Sequence, residues 1–546
     1  MRSLARGFAS ARKNGRFREM DDTVYLQDGE NRSAVPVLPG DTLAQALFRA
    51  GCFTGRPLCS GIGRCGACRV RFASLAPPPV PKDSRRLSPA ELAAGWRLSC
   101  AHAATDASGA VIEVPPEVAG ADASGRGARR APSREMPTPS GYFLGLDLGT
   151  TGLAFRAFPA SGEGRVIEGQ ALNPQLGAGS EVMSRLAFAA RGGGADYLRG
   201  LILDFLRRVI RNLPGPVAKL GVAGNPAMIS LLLGLDFSGL AAAPYRLDFA
   251  GGREMELAPD LPRAYVPPLF GPFVGADASA GLYAVVRGGA APPFLLVDLG
   301  TNGEFVLGLP DGRFLAASVP MGPALEGVGP RMGRLAGPGT AVAFDLLPDG
   351  LSPVTFEGRG EASAIGGTGY LSLLARLRAA GVLHEDGRFA DSGEVSPLGR
   401  RIMAGLGDDA GEPRLDVGGL SLWASDVEEI LKVKAACNLA FSGLFRAAGI
   451  GPGALSAIHL AGAFGSHVNP ADLEALGVLP SAGALRCRCA GNTSLDGVCL
   501  LVPDAAARRD ILGAAGRTTV IDLATSLGTE GFAEAFVKRM VFRYVA

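Results

Sequence analysis

A chain of 546 residues is too long for one compact core and implies three or four structural units, or two large ones and a small one. Its 47% apolar and 19% charged residues exclude a disordered chain, and no run approaches the ~20 uninterrupted apolar residues of a membrane-spanning helix. Net charge is only +2, and Arg2, Arg6, Arg12, Lys13, Arg16 and Arg18 face a single Glu19 in the first 19 residues, so the slightly acidic body has no basic footprint for nucleic acid.

Residues 1–19 lack the apolar segment of a secretory signal and are expected to be a disordered or non-native basic extension, with Met20 able to serve as a start. The nine cysteines are an odd number with no secretory leader before them, which points to the reducing cytoplasm rather than a disulfide framework. Glycine is abundant, at 78 residues, with no Gly-X-Y period, so the excess belongs in turns and ligand-cradling loops.

Residues 20–117 form the first expected unit. Thr23–Leu26 and Ser33–Leu38 predict two strands joined by a turn at Asp28 and Gly29, followed by a helix from about Asp41 to Gly51. Cys59, Cys65, Cys68 and Cys100 then follow in the pattern Cys-x5-Cys-x2-Cys-x31-Cys, with Gly61, Gly63 and Gly66 separating the first three. Four thiolates in a three-plus-one arrangement suit a 2Fe-2S cluster, with a glycine-rich loop supplying three ligands and a distant strand end the fourth. A four-cysteine zinc site usually presents two Cys-x2-Cys knuckles, and only Cys65 and Cys68 form one. Cys52, just after the helix, reads as a buried apolar residue in preference to a fifth ligand, and His102 as a surface histidine in preference to one that tunes the cluster by hydrogen bonding. The stretches CSGIGRCGACRV and GWRLSC resemble the cluster-binding signature of adrenodoxin-like ferredoxins.

Residues 118–140, rich in Gly, Ala, Ser, Pro and Arg without apolar period, predict a flexible linker. Beyond it, YFLGLDLGTTG (142–152) and FLLVDLGTNG (294–303) are two apolar strands that each end in Asp-Leu-Gly-Thr, placing Asp147 and Asp298 in equivalent positions. Two loops of this kind can clasp a polyphosphate from both sides, with an aspartate on a magnesium ion or its water. A third strand-to-glycine passage, AIHLAGAFG (457–465), is able to close over an adenosine.

These features together resemble the duplicated fold of the actin, sugar kinase and heat-shock ATPase superfamily. The expected architecture is therefore α/β: an N-terminal β-grasp ferredoxin-like domain, the linker, and a two-lobed actin-like ATPase with lobes at 141–290 and 291–546. A ferredoxin followed by GNPAMISLLLGLD (224–236), FVGADASAGL (273–282), DLGTNGE (298–304), GPALEG (322–327) and LAGAFGSHVNP (460–470) resembles the reductive activators of corrinoid proteins.

That resemblance implies an ATP-dependent corrinoid-protein reductase, in which the 2Fe-2S cluster returns the Co(II) corrinoid of a partner methyl-transfer protein to Co(I). It implies ATP and Mg2+ as cofactors and an external low-potential electron donor, since no strand leads into the Gly-x-Gly-x-x-Gly helix start of a nicotinamide or flavin site. Carried onto this sequence, Asp147, Asp298 and Glu304 would be the catalytic acids, with Glu304 orienting water. Gly149, Thr150, Thr151, Gly300, Thr301, Asn302 and Gly303 would contact phosphates or magnesium, and Gly462 and Gly465 would line the adenosine pocket. Glu326 divides evenly between a site role and a turn role. The departures are GNPAM in place of the usual GNTTM, a different continuation in GVGPRMGR (327–334), and a chain with no room for the extra middle domain many relatives carry. A small-molecule kinase of the same superfamily and an electron carrier with a vestigial nucleotide site are the alternatives, and a homodimer is allowed.

Overall fold

The computed structural model describes residues 23–115, 141–523 and 531–546. The basic extension at 1–19 and the linker at 118–140 lie outside the described residues. The chain divides into two compact units, one formed by residues up to 50 with 69–115, the other by 51–68 with the chain from 116 onward. Among the described residues no helix is long and apolar enough to cross a membrane.

The first unit is a five-stranded sheet in the order β2-β1-β5-β3-β4, the mixed topology of a β-grasp. Strands β1 (Thr23–Asp28) and β2 (Asn31–Pro36) pair antiparallel across a turn at Gly29, whose φ of 59° suits glycine. β3 (Arg69–Ser74) runs antiparallel to β4 (Trp96–Leu98) and to β5 (Val111–Glu113), while β1 and β5 are parallel. The helix Leu43–Arg49 begins with a reciprocal cap: Thr42 Oγ1 accepts from Gln45 N at 3.3 Å, and Thr42 N donates to Gln45 Oε1 at 2.9 Å. Its residues Leu43, Ala46, Leu47 and Phe48 recur at helical spacing and are fully buried, worth roughly 1.5–3 kcal/mol for each large side chain.

The second unit holds two six-stranded sheets with the same plan. In the first sheet β6 (Tyr142–Leu148) turns antiparallel into β7 (Gly152–Pro159) and β8 (Ile167–Leu172), and runs parallel to β9 (Val217–Gly224). β10 (Arg253–Met255) and β11 (Ala264–Val266) complete its edge. In the second sheet β12 (Phe294–Leu299) turns antiparallel into β13 (Asn302–Gly308) and β14 (Phe314–Pro320). Two small sheets follow, built from β15 (Thr340–Leu347), β16 (Gly350–Thr355) and β17 (Ala364–Ile365), and from β18 (Leu406–Asp409), β19 (Glu412–Val417) and β20 (Leu420–Trp423). β21 (Ala457–Ala461) then returns beside β12 in parallel, as β9 does beside β6, and is followed by β22 (Cys487–Gly491) and, on the far edge, β23 (Thr518–Val520). The duplication expected from the two Asp-Leu-Gly-Thr loops is thus a duplication of strand topology.

β12 is buried on both faces, which explains its unbroken apolar run FLLV. Leu295, Val297 and Leu299 face a core shared with the helices Gly367–Ala379 and Ala424–Ala448, and Phe294 and Leu296 face a second core. A lobe boundary at residue 290 describes chain order better than packing. The helix Thr493–Leu501 and the helix Ala505–Ala515 share a core with Ala154, Ala223 and Tyr265 of the first sheet before the chain returns to β23.

Candidate functional site

The residues 51–68 contain neither helix nor strand, and carry three of the four clustered cysteines. The loop turns through Gly61, Gly63 and Gly66, all with φ between 65° and 85°, so its backbone takes a path that side-chain-bearing residues rarely follow. The Cys59 and Cys65 thiols are hydrogen-bonded to each other, and Ala67 N points at Cys65 Sγ at 3.4 Å, an amide-to-sulfur contact of the kind that holds an iron–sulfur group. Cys59, Cys68 and Cys100 are buried, Cys65 is half-buried, and Cys100 sits in a single helical turn directly after β4. Among the described residues no trio of His, Cys, Asp or Glu is arranged to hold a single ion. Cysteine thiolates are the soft donors a 2Fe-2S cluster takes, and the chain supplies four of them in Cys59, Cys65, Cys68 and Cys100. Cys52 is buried, and burial pushes its thiol up to about 11, in keeping with an apolar role.

His102 is not a surface residue. It is 4% exposed, and its Nε2 lies 2.8 Å from Asp83 Oδ2. Asp83 also accepts from Val80 N at 2.9 Å and from Leu98 N at 2.8 Å, so one buried carboxylate ties the histidine to the strand that leads into Cys100. The expectation failed because Asp83 lies 19 residues upstream, in a short turn of helix that no periodicity announces.

A second group of functional side chains is built at the ends of equivalent strands. Asp147 and Asp298 are the penultimate residues of β6 and β12; both are half-buried and feel one another electrostatically. Asp298 stands directly across the strand pair from Glu304, and both face Asp277 in the first turn of the helix Ala276–Arg287. Burial, reinforced by Asp147 and Asp277, pushes the Asp298 carboxyl up to about 7. Asp277 is likewise pushed up to about 7, by burial first and Asp147 second, against the pull of its hydrogen bond from Ala278 N. Glu304 is raised well above the usual carboxylate range by burial, Asp277 and Asp298, although the Asn302 side chain hydrogen-bonds to it. Asp147 is raised less freely, because Asn492 Nδ2 at 2.8 Å and Ser494 Oγ at 2.9 Å donate to its two oxygens. Four mutually repelling acids from both lobes form a site that is relieved by a cation or by protons.

The loops themselves are tightly held. Asn173 Nδ2 donates to Gly149 O at 2.8 Å, and Asn225 Nδ2 to Thr150 Oγ1 at 2.9 Å. The fully buried Arg185 donates to Thr150 O and, at 3.0 Å, to Gly179 O. Thr151 Oγ1 lies 3.0 Å from Thr301 Oγ1, and both hydroxyls donate to the carboxylate of Glu326, Thr301 at 2.9 Å. Gly149 is required by a tight turn, since a Cβ there would lie 2.6 Å from Gly152 O. Gly300 N donates to Asn302 O at 2.9 Å in the matching turn. A Cβ on Gly303 would strike Met321 and Phe305, which is a packing reason for its identity. Gly462, at φ 80°, opens a short helix after β21, where a Cβ would lie 2.4 Å from Asp298 Oδ1; Gly465 backs onto the Leu460 backbone.

Sequence reasoning missed Asp277, Asn492, Ser494, Arg185 and Asn225 as site residues. Two carried a local signal. Asn225 and Asn492 are helix N-caps, accepting from Met228 N at 3.0 Å and Leu495 N at 2.8 Å. The GNPAM departure therefore keeps the residue that reaches Thr150 and places Pro226 at the first helical position, where its missing N–H is harmless. In GVGPRMGR, Arg331 is an anchor: its amide donates to Asp426 Oδ1 at 2.9 Å, and its guanidinium pairs with Asp409 and Glu412 over the Trp423 ring. A cavity of about 490 Å³ lined by Arg287, His459, Thr493 and Asp496, among others, contains none of these site residues.

Comparison with known proteins places the two units. A model of the 2Fe-2S iron-sulfur cluster binding domain matches residues 26–105. A model of the RACo middle region matches 142–286, and a model of the C-terminal domain of RACo, the ASKHA domain, matches 293–545. The expectation that no middle region fits is thereby corrected: the middle region is the segment that folds as β6 to β11, not an insertion before it. The corrinoid activation enzyme RamQ of Eubacterium limosum is 28% identical over 389 residues, 66% of this chain and 64% of that protein. The [Co(II) methylated amine-specific corrinoid protein] reductase of Methanosarcina barkeri is 28% identical over 395 residues, 65% of this chain and 68% of that protein. The chain thus matches about two thirds of the length of these curated relatives. A solved reductive activator for corrinoid, iron-sulfur protein shares the fold, with a TM-score of 0.63 at 19% identity over 95% of this chain and 98% of that one.

Proposed function

We propose, from the premise that this chain belongs to the RACo family of corrinoid reductive activators, that it is an ATP-dependent reductase acting on the corrinoid of a methyl-transfer protein. The observation that carries this reading is the convergence of Asp147, Asp277, Asp298 and Glu304 from both lobes in a chain that also presents Cys59, Cys65, Cys68 and Cys100. When bound, a 2Fe-2S cluster supplies one electron at a time, received from an external low-potential donor and passed to Co(II) to give Co(I).

The chain's own residues do the rest. Cys59, Cys65 and Cys68 present thiolates from the glycine loop, and Cys100 the fourth from the end of β4. Asp147, fixed by Asn492 and Ser494, and Asp298, fixed between Glu304 and Gly462, are the acids we assign to Mg2+ or its waters. Magnesium takes only one or two carboxylates together with phosphate oxygens, so the remaining acids are free to orient water, the role assigned to Glu304. Gly149, Thr150, Thr151, Gly300, Thr301, Asn302 and Gly303 are assigned to the phosphates, Gly462 and Gly465 to the adenosine side.

ATP is needed on energetic grounds: each 100 mV of uphill transfer costs about 2.3 kcal/mol per electron. Nucleotide bound between two lobes can supply it only by favouring one conformation or one complex over another. The test is anaerobic. The reduced protein is mixed with a Co(II) corrinoid protein, and the Co(I) absorption is followed with ATP, without ATP, and with Asp298→Ala. Co(I) should appear only with ATP and intact Asp298; a cluster-bearing protein that never yields Co(I) would move the reading to a simple carrier or a kinase.

A further inference from the structure

We propose that Glu326 is a latch: its carboxylate holds the two nucleotide loops together by occupying the threonine hydroxyls that a phosphate would otherwise receive. The proposal rests on the nucleotide-site reading above and adds a residue that sets the site's affinity.

The geometry is specific. Thr151 belongs to the turn after β6 and Thr301 to the turn after β12, so these hydroxyls come from opposite lobes, 3.0 Å apart. Thr151 donates to Glu326 Oε2 and Thr301 to Glu326 Oε1. Each hydroxyl carries one proton, so with both directed at the carboxylate neither has a proton left for a phosphate oxygen. A carboxylate accepting two hydroxyls through two oxygens reproduces the charge and bonding of a phosphate edge.

Glu326 is also held too firmly to be an incidental contact. It ends the turn Pro323–Glu326, in which Ala324 and Leu325 are buried. Gly327 follows at φ 73°, and a Cβ there would lie 2.3 Å from Arg334 O. On the other side Gly367 packs so closely on Leu325 that a Cβ would overlap its carbonyl oxygen. The carboxylate feels the buried guanidinium of Arg185, which itself supports Thr150 O, so the latch and the first loop share one cation. A nucleotide whose phosphates take up these hydroxyls must first break the Thr151–Glu326 and Thr301–Glu326 bonds.

The experiment measures binding of the magnesium complex of a β,γ-imido ATP analogue to the cluster-loaded full chain by calorimetry. It compares wild type, Glu326→Gln and Glu326→Asp. Glu326→Asp keeps the charge but is one methylene too short to reach both hydroxyls. A latch predicts that both variants bind roughly tenfold more tightly than wild type, the change expected when charge-assisted hydrogen bonds no longer have to be broken. Tighter binding by Glu326→Gln alone would mean that Glu326 acts through simple repulsion of the phosphates, and would overturn the latch. Weaker binding by both would place Glu326 among the groups that hold nucleotide, which also overturns it. If neither wild type nor variants bind the analogue, the nucleotide-site reading itself fails and the latch falls with it. An unchanged thermal midpoint and cluster absorption in both variants establish that each is folded.

Discussion

Asn492 Nδ2 donates to Asp147 Oδ2 at 2.8 Å, joining the start of a late helix to the first acid of the site across 345 residues of chain. The same side chain accepts from Leu495 N, so a single asparagine caps the helix Thr493–Leu501 and orients the acid. Asn492→Ala is therefore expected to do two separable things. Loss of the cap should lower stability by about 1 kcal/mol, and loss of the donor should weaken nucleotide binding. Ser494→Ala removes only the second contact and should weaken binding with less change in thermal midpoint.

Gly462→Ala should be more damaging than its size suggests. The added methyl would lie 2.4 Å from Asp298 Oδ1, at a φ of 80° that an L-residue adopts at a cost of about 1–2 kcal/mol. Nucleotide binding should be lost while the visible spectrum of the cluster is retained, a pair of readouts that separates local obstruction from unfolding.

Replacing Cys59, Cys65, Cys68 or Cys100 singly by serine should abolish or sharply shift the 2Fe-2S absorption and paramagnetic signals. Cys52→Ala should leave them unchanged, because the Cys52 thiol is buried in apolar surroundings. Loss of the signals in Cys52→Ala would reassign the fourth ligand.

Asp277 and Asp298 make the nucleotide-free protein sensitive to pH. Both folded-state values are raised to about 7 from an ordinary 3.8, so their contribution to stability is complete below about pH 3.8 and is lost as pH rises through about 7. The thermal midpoint without divalent cation should fall over that interval, and Asp298→Asn should flatten the fall. Mg2+ should raise the midpoint more at about pH 8 than at about pH 5.5, because only the deprotonated acids repel one another and attract the ion. The buried Lys434 works in the opposite sense. Burial lowers it to about 7, so its contribution recovers as pH rises from about 7 to about 10.5 and is constant below that window, where the fall due to the two acids is read.

Asp83→Ala should destabilise the first unit by roughly 1–3 kcal/mol, the usual effect of leaving buried hydrogen-bonding groups unsatisfied, here Val80 N, Leu98 N and His102 Nε2. Chemical denaturation of the full chain, followed by the cluster absorption, measures it.

What could be read from the sequence was whatever chemistry is local. The spacing of Cys59, Cys65 and Cys68, the capped helix after the first hairpin, and the strand-to-turn passages at Asp147 and Asp298 each lie within a dozen residues, where periodicity and turn composition speak directly. The partners of those acids do not. Asp277 lies 130 residues from Asp147 in a small-residue helix start, and Asn492 and Ser494 lie 345 and 347 residues from it. His102 went astray for the same reason: its buried ring is hydrogen-bonded to Asp83, and such a contact between distant residues leaves no periodic trace. The acids were visible because duplication repeated them; their orienting groups were invisible because each occurs once.

The return of the helix Thr493–Leu501 to the first sheet bears on how the chain is made. A ribosome releases β6 to β11 long before this helix, and at typical synthesis rates the interval is on the order of ten seconds or more. Throughout it the first lobe has an uncovered apolar face around Ala154 and Tyr265, and Asp147 has neither of its donors. The half of the nucleotide site that is synthesised first is thus the half completed last, so a nascent chain has no finished site for ATP until nearly all of it has emerged.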